Sequence, residues 1–335
     1  MKNLKSFVFT LANIFTLASA FANDGCCDPR ITTSSSTCFI DNISIAADFL
    51  WWKPCIDEMD YATATCETDE KITIKYKGLC PDFHSGVRVI LGRPSFYCDW
   101  GFIASYNYFK STAHHGFDDY NKISSPLIHP GATSCITELF DGVRASSKVF
   151  YNEWDALITY DMSCCNPCHL FQPFVGVAGL NLKQNFNVDM IQGLHTDTIR
   201  WRSDYWGVGL RAGIEYQYLF CDRFRFFTLF HGTMLAGDAD TKACQSFCRD
   251  VEIKEDECCH FIPGYHIGVG LIYEGCFCRI DYSLRLGYEF LEWRNLPTQR
   301  IFIGEEETLE QGRSTPTNTR AMGFHGLMAG IGMTF

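Results

Sequence analysis

Beyond residue 22, no segment of this 335-residue sequence is apolar for the roughly 20 positions that a membrane-crossing helix requires. Helical signal is scarce altogether: no long stretch carries apolar residues at three-and-four spacing. Positive charge is also short, with 28 Lys and Arg against 39 Asp and Glu and a net charge of −11. Nucleic acid is excluded as a partner on that ground, since phosphate contacts need clustered Lys and Arg. Linker-like stretches are missing and aromatic residues run along the whole chain, so one domain is expected. Neither Gly-x-Ser-x-Gly nor His-Glu-x-x-His occurs, which removes two hydrolase signatures.

What is present begins with a leader. Lys2 and Lys5 precede an apolar run from Ser6 to Leu17 and the small-residue stretch Ala18-Ser19-Ala20-Phe21-Ala22. This is the pattern of a secretory signal peptide over 1–22, with cleavage expected after Ala22 and Ala20 as the runner-up. Losing Lys2 and Lys5 leaves 26 basic residues against the same 39 acidic ones. Eighteen cysteines fit an oxidising compartment. Export without a helical anchor leaves a soluble periplasmic or secreted protein, or a β-barrel.

Period two decides between these. In Arg279 to Phe290 the residues Ile280, Tyr282, Leu284, Leu286, Tyr288 and Phe290 alternate with Arg279, Asp281, Ser283, Arg285, Gly287 and Glu289. Six apolar positions at about 3.3 Å per residue, tilted by about 40°, cover roughly 25 Å, the height of a lipid-facing band. Similar rows run through Trp206–Phe220, Tyr265–Tyr273, Trp100–Tyr108, Phe150–Tyr160 and Ile43–Trp51. Weaker strands fit Ser85–Gly92, Leu170–Leu182 and Phe224–Ala236. The closing strand, Arg320 to Phe335, places Leu327, Ala329, Ile331, Met333 and Phe335 on one face.

The sequence thus predicts an all-β, transmembrane, antiparallel up-and-down barrel of about ten strands. Twelve are reached if Lys71–Lys77 adds a strand to the count. Connections at Arg93–Tyr97, Met162–His169, Cys221–Arg223 and Gly275–Phe277 are short, whereas 53–84, 110–147, 183–203, 237–261 and 292–319 are long. Short periplasmic turns and long extracellular loops are the outer-membrane arrangement. The expected organisation is a periplasmic segment over 23–42 and a barrel over 43–335, in contact with outer-membrane lipid. A terminal aromatic such as Phe335 resembles the signal read by the barrel-assembly machinery. A soluble barrel with the apolar rows turned inward has the same periodicity, so lipid outside rests on Phe335, the loop asymmetry and the aromatics near the row ends.

The chain also resembles a known family, the major outer-membrane proteins of Legionella and the related pore-forming proteins of chlamydia-like bacteria. The resemblance is carried by Ala47-Asp48-Phe49-Leu50-Trp51-Trp52-Lys53, Met59-Asp60-Tyr61-Ala62, Trp100 to Ser111, Gln172-Pro173-Phe174-Val175-Gly176, and Tyr205-Trp206-Gly207-Val208-Gly209-Leu210-Arg211-Ala212-Gly213. It implies a pore in the bacterial outer membrane, with no catalytic residues and no cofactor.

The polar rows supply a candidate pore lining: Asp48, Arg88, Asp155, Asp161, Arg211, Glu215, Arg279, Asp281, Arg285 and Glu289. Such mixed charges either hold a transverse field across a water channel or pair and fill the interior. Ten strands lie close to the size that side chains fill, while Gly207, Gly209, Gly213, Gly264, Gly268 and Gly270 leave inward space. A porin-like pore for small hydrophilic solutes is expected, with a closed structural or adhesive barrel as the alternative.

Cysteines sort by rim and avoid the strand cores. Cys26, Cys27, Cys38, Cys98, Cys164, Cys165, Cys168, Cys221, Cys276 and Cys278 fall on the periplasmic side, and Cys55, Cys66, Cys80, Cys135, Cys244, Cys248, Cys258 and Cys259 in the long loops. Intramolecular staples are one reading. Disulfides from the periplasmic-side set to envelope proteins or to neighbouring copies are the other, suggested by the resemblance. Cys165-Asn166-Pro167-Cys168 has oxidoreductase spacing but lies between strands rather than opening a helix. Cys244, Cys248, Cys258, Cys259 and His260 match no common zinc spacing. His114, His115, Asp118 and Asp119 cluster in one loop and form the enzyme alternative.

Overall fold

The computed structural model describes residues 43–56, 59–68, 71–97, 99–129, 140–162, 168–247, 250–277, 280–299 and 319–335. The expected signal peptide, the 23–42 segment, and Cys26, Cys27, Cys38, Cys98, Cys135, Cys164, Cys165, Cys248, Cys278 and Arg279 lie outside these residues.

Twelve strands follow in order: β1 (Ser44–Ile56), β2 (Asp60–Thr68), β3 (Lys71–Gly78), β4 (His84–Tyr97), β5 (Trp100–Ser124), β6 (Phe140–Tyr160), β7 (His169–Gln192), β8 (His195–Cys221), β9 (Phe224–Ser246), β10 (Asp250–Phe277), β11 (Ile280–Pro297) and β12 (Thr319–Thr334). Every pairing is antiparallel. β1 joins β4 on one side and β12 on the other, β5 joins β6, and the remaining neighbours follow in sequence. The result is a closed ring of ten strands, β1 and β4 to β12, which leaves no free edge in the membrane. β2 and β3 form a hairpin outside the ring that attaches to β5 through Thr63–Ser124. The chain is closed at its end by Phe335, whose amide donates to the Ile43 carbonyl at 3.1 Å.

The apolar rows face outward. Phe49, Trp51, Val89, Phe102, Tyr106, Trp154, Ile158, Val177, Leu210, Phe230, Leu271, Leu286, Leu327 and Ile331 are all exposed on the outer wall, while Asp48, Arg88, Glu153, Arg211 and Glu289 are buried. In water that arrangement would be costly, and in a bilayer it is the favourable one.

The long loops are corrected. β5 to β10 continue well past the lipid band as paired strands, and the expected 183–203 loop is a hairpin turning on Gly193 (φ 57°) and Leu194. β8, at 27 residues, spans about 68 Å at 3.3 Å per residue and 40° tilt, so about 43 Å rises above a 25 Å lipid band. The physical reason is a change of apolar side. Val175 and Val177 of β7 point outward into lipid, whereas Phe186, Val188 and Met190 of the same strand are buried inside the extension. Above the membrane water lies outside, so the apolar residues turn to the interior. There they form a second core with Tyr61, Ile123, Leu127, Phe140, Val143, Ile199 and Trp201. Cys244, Cys258 and Cys259 accordingly lie within the β9 and β10 extensions rather than in loops.

Candidate functional site

The interior of the ring is filled in two layers. Nearer the extracellular side, Leu50 and Trp52 of β1 meet Phe109, Tyr151, Tyr205, Trp293 and Phe324. Ring centroids are 5.7 Å apart for Trp52–Phe109, 5.8 Å for Trp52–Phe324 and 4.9 Å for Tyr151–Phe324. Two of the inward glycines that were expected to leave a channel, Gly207 and Gly264, instead admit these rings, while Gly268 keeps space beside Leu229. A Cβ on Gly207 would collide with the Tyr205 hydroxyl, and one on Gly264 with the Trp293 indole. Only the aromatic packing explains why both positions tolerate nothing larger.

Next to this aromatic layer lies a charge network that crosses the lumen. Arg88 of β4 donates to both Glu289 oxygens of β11 at 2.7 and 2.8 Å, to Asn107 Oδ1 at 2.7 Å and to Asp48 Oδ2 at 3.4 Å. Asn107 passes the connection to Glu153 at 2.7 Å, which also accepts from Tyr151 at 2.7 Å. Arg211 of β8 bonds Glu153, Asp155 (2.5 Å) and Thr233 (2.9 Å). His231 and His266 continue the network, 2.9 Å apart, with His266 Nε2 3.7 Å from Glu289. Each carboxylate and guanidinium thus has an oppositely charged partner inside the ring, as buried charges require, although Asp48 Oδ1 is buried without a partner.

A polar cavity of about 980 Å³ runs from the short turns up to the network and the edge of the aromatic layer, lined toward the turns by Asp161, Gln172, Glu215, Gln217, Arg225, Glu274, Asp281 and Arg285 and at its upper end by Arg88, Asn107, Glu153, Arg211 and Trp52. Arg225 pairs Glu274 at 2.9 Å, Gln172 donates to Asp161 at 2.5 Å, and Arg285 lies 3.9 Å from Glu215. Of the ten lining candidates, Arg279 lies outside the described residues and the other nine overlap in role: Asp48, Arg88, Asp155, Arg211 and Glu289 belong to the lumen-crossing network, of which Arg88, Asp155 and Arg211 also face the cavity together with Asp161, Glu215, Asp281 and Arg285. Sequence reasoning passed over Asn107, Glu153, His231, His266 and the aromatic layer. Asn107, Glu153 and His266 lie at the polar positions that alternate with the apolar rows Trp100–Tyr108, Phe150–Tyr160 and Tyr265–Tyr273. His231 and Thr233 share the inner face of β9 with Phe227 and Leu235, which blurs the alternation there.

The other candidates separate. His115 bonds the hydroxyl of Tyr61 through Nδ1, and burial pushes the Tyr61 phenol up to about 12. His115 is thus bonded to a phenol rather than to an aspartate, and it borders a shallow cleft together with His114, Asp118, Arg144 and Asp189. The Asp119 side chain lies outside the described residues. Both ring nitrogens of His260 are engaged, with Nδ1 2.7 Å from Glu257 and Nε2 2.6 Å from the Asn295 carbonyl oxygen. Cys168 is buried and disulfide-bonded. Cys55, Cys80, Cys221, Cys244, Cys258, Cys259 and Cys276 carry no disulfide and are exposed.

Residues 36–335 match the model of a family described as the Legionella pneumophila major outer membrane protein precursor. The chain belongs to that family. Its place is the bacterial outer membrane, in agreement with the barrel and its lipid-facing wall. No curated protein matches it. Among solved structures it is similar to the outer membrane protease OmpT from Escherichia coli, at 8% identity over 90% of this chain and 99% of that one with a TM-score of 0.46. It is also similar to the Pseudomonas putida toluene transporter TodX (10%, 88% and 90%, TM-score 0.35) and to Ail, the attachment invasion locus protein of Yersinia pestis (11%, 88% and 100%, TM-score 0.25).

Proposed function

We propose that this family member is a closed outer-membrane barrel, a structural element of the envelope that presents a β-rich extension to the exterior. The observation that carries the reading is the lumen-crossing chain Asp48–Arg88–Glu289 and Asn107–Glu153–Arg211 beneath the Trp52–Phe109–Tyr151–Phe324 packing. Water and solutes would have to break buried charge pairs and then part an aromatic core. A liposome-swelling assay tests it: vesicles holding the refolded, heat-modifiable protein are expected to swell in small sugars no faster than empty ones. Swelling that falls with sugar size supports the porin-like reading instead. One observation favours that second reading, namely the polar vestibule of about 980 Å³, which a purely structural barrel does not require. In that reading the Arg88–Glu289 contact is the gate.

The structural role extends to thiols. Cys221 stands at the periplasmic rim, where Cys98, Cys164, Cys165, Cys276 and Cys278 are also expected, whereas Cys168 is already held in a disulfide. Disulfides from this rim to other envelope proteins or to neighbouring copies would tie the barrel into the envelope. Non-reducing electrophoresis of isolated envelopes is expected to give high-mass bands that collapse with reductant; a band that stays monomeric would sink the idea.

A further inference from the structure

Three lysines stand on the outer wall where the lipid band ends. Phe109, Tyr151 and Leu182 point into the core, so their neighbours Lys110, Phe150 and Lys183 point out, and register places these three side by side across β5, β6 and β7. Lys148, two residues along β6, is on the same face. All three lysines are exposed. Lys110 Nζ lies 5.1 Å from the Phe150 ring centroid, and no carboxylate pairs with any of the three among the described residues. Further along the same face come Arg144, opposite Asp189 in register, Arg200, and Arg202, which is paired with Asp204 at 2.7 Å. The neighbouring outer face on β9 and β10 is the opposite in character, with Asp238, Asp240, Glu252 and Asp256, and there Lys242 and Lys254 are held by Glu252 at 2.7 and 3.3 Å.

Height fixes what meets the lysines. From Trp100 at the periplasmic rim to Lys110 is ten residues, or about 25 Å of rise at 40° tilt, the thickness of the lipid band. Immediately below lie the exposed Tyr108, Tyr106, Trp154 and Val177, where acyl chains run. Lys110 and Lys183 are two strands apart, about 10 Å, on either side of the Phe150 ring. Asp204 stands opposite Lys183 in register but is held by Arg202 at 2.7 Å, so the lysines keep a net positive charge that attracts anions from outside the protein.

The geometry points to a binding site for an outer-leaflet lipid whose sugar headgroup carries two phosphates. One phosphate meets Lys110 and the other Lys183, Lys148 reaches either, and the sugar ring lies on Phe150 while the acyl chains follow the Tyr108–Trp154 wall. The aromatic floor between separated cations is what distinguishes this from attraction to any anionic surface.

Native mass spectrometry of the full chain, refolded in detergent micelles, tests it with a bisphosphorylated acylated diglucosamine as probe. The wild-type chain is expected to retain the lipid. The triple variant Lys110→Gln, Lys148→Gln, Lys183→Gln is expected to bind about a hundredfold more weakly, on the scale of three cations facing phosphates at a membrane surface. Lys242→Gln with Lys254→Gln should bind as wild type, and Lys→Arg at the three positions should restore binding, which separates loss of charge from misfolding. Equal retention by the triple variant overturns the site. So does equally tight binding of the dephosphorylated glycolipid, of phosphatidylglycerol or of inorganic pyrophosphate alone, since these would make the patch a hydrophobic, generic anionic or free-phosphate surface.

Discussion

Replacing Arg88 by Met removes the centre of the interior network while keeping most of the side-chain volume. Glu289 then loses both of its strong donors, at 2.7 and 2.8 Å, and retains only His266 at 3.7 Å. Asn107 loses a 2.7 Å donor and Asp48 its one cationic contact. Stranding a buried carboxylate in this way costs about 3–5 kcal/mol. Urea unfolding in lipid vesicles, followed by the heat-modifiable gel shift, reads the loss directly. Removing the partner as well, in Arg88→Met with Glu289→Gln, is expected to recover a large part of it, because the uncompensated charge is then gone; coupling of about 2 kcal/mol or more is the signature of contact. A single variant within about 1 kcal/mol of wild type would refute the reasoning, since it would mean that water already reaches Glu289 and that the lumen is not sealed.

Truncating Trp52 to Ala empties the aromatic layer and is expected to cost about 3–5 kcal/mol in the same titration. Gly207→Val forces a side chain into the Tyr205 hydroxyl and should cost about 1–3 kcal/mol. Gly268→Ala, whose nearest neighbour is Leu229 Cβ at 3.6 Å, should stay within about 1 kcal/mol and serves as its control. Above the membrane, burial holds the His129 imidazole below its usual range. The unfolded segment therefore binds the extra proton first, and residues 125–129, tied to Gln245 at 2.8 and 2.7 Å, should loosen as the pH falls below about 6.5; proteolysis of this segment that is unchanged between pH 7.5 and 5.5 would contradict it. Phe335→Ala is expected to slow insertion by the barrel-assembly machinery while leaving the urea midpoint of the folded barrel near that of wild type, with pulse-chase of the heat-modifiable form as the measurement.

The ring of ten was legible because each spanning strand keeps one apolar face, as in Leu284, Leu286 and Tyr288 against Arg285, Gly287 and Glu289. The side of the lipid was legible only from the chain end, the turn lengths and the aromatics near the row ends, since inverting a sheet preserves its period. What escaped was governed by a change of surroundings along a single strand. β7 has apolar residues out at Val175 and Val177 and in at Phe186 and Val188, so a reading that follows one face stops where the membrane does. The aromatic layer escaped for a related reason: Trp52, Tyr151 and Trp293 are inward aromatics in rows that also carry Asp48, Glu153 and Glu289, and the glycines that make room beside them look from sequence like empty space. Disulfide connectivity has no local signal of this kind, because pairing depends on where strand ends meet across the ring.

Single-channel recording in planar bilayers tests the sealed lumen most directly. With the folded, heat-modifiable wild-type protein inserted, the recording is expected to stay silent, and Arg88→Ala alone should stay silent as well because the aromatic layer remains; adding Trp52→Gly and Phe324→Gly should produce conductance. Stable, reproducible steps from the wild-type protein would contradict the account.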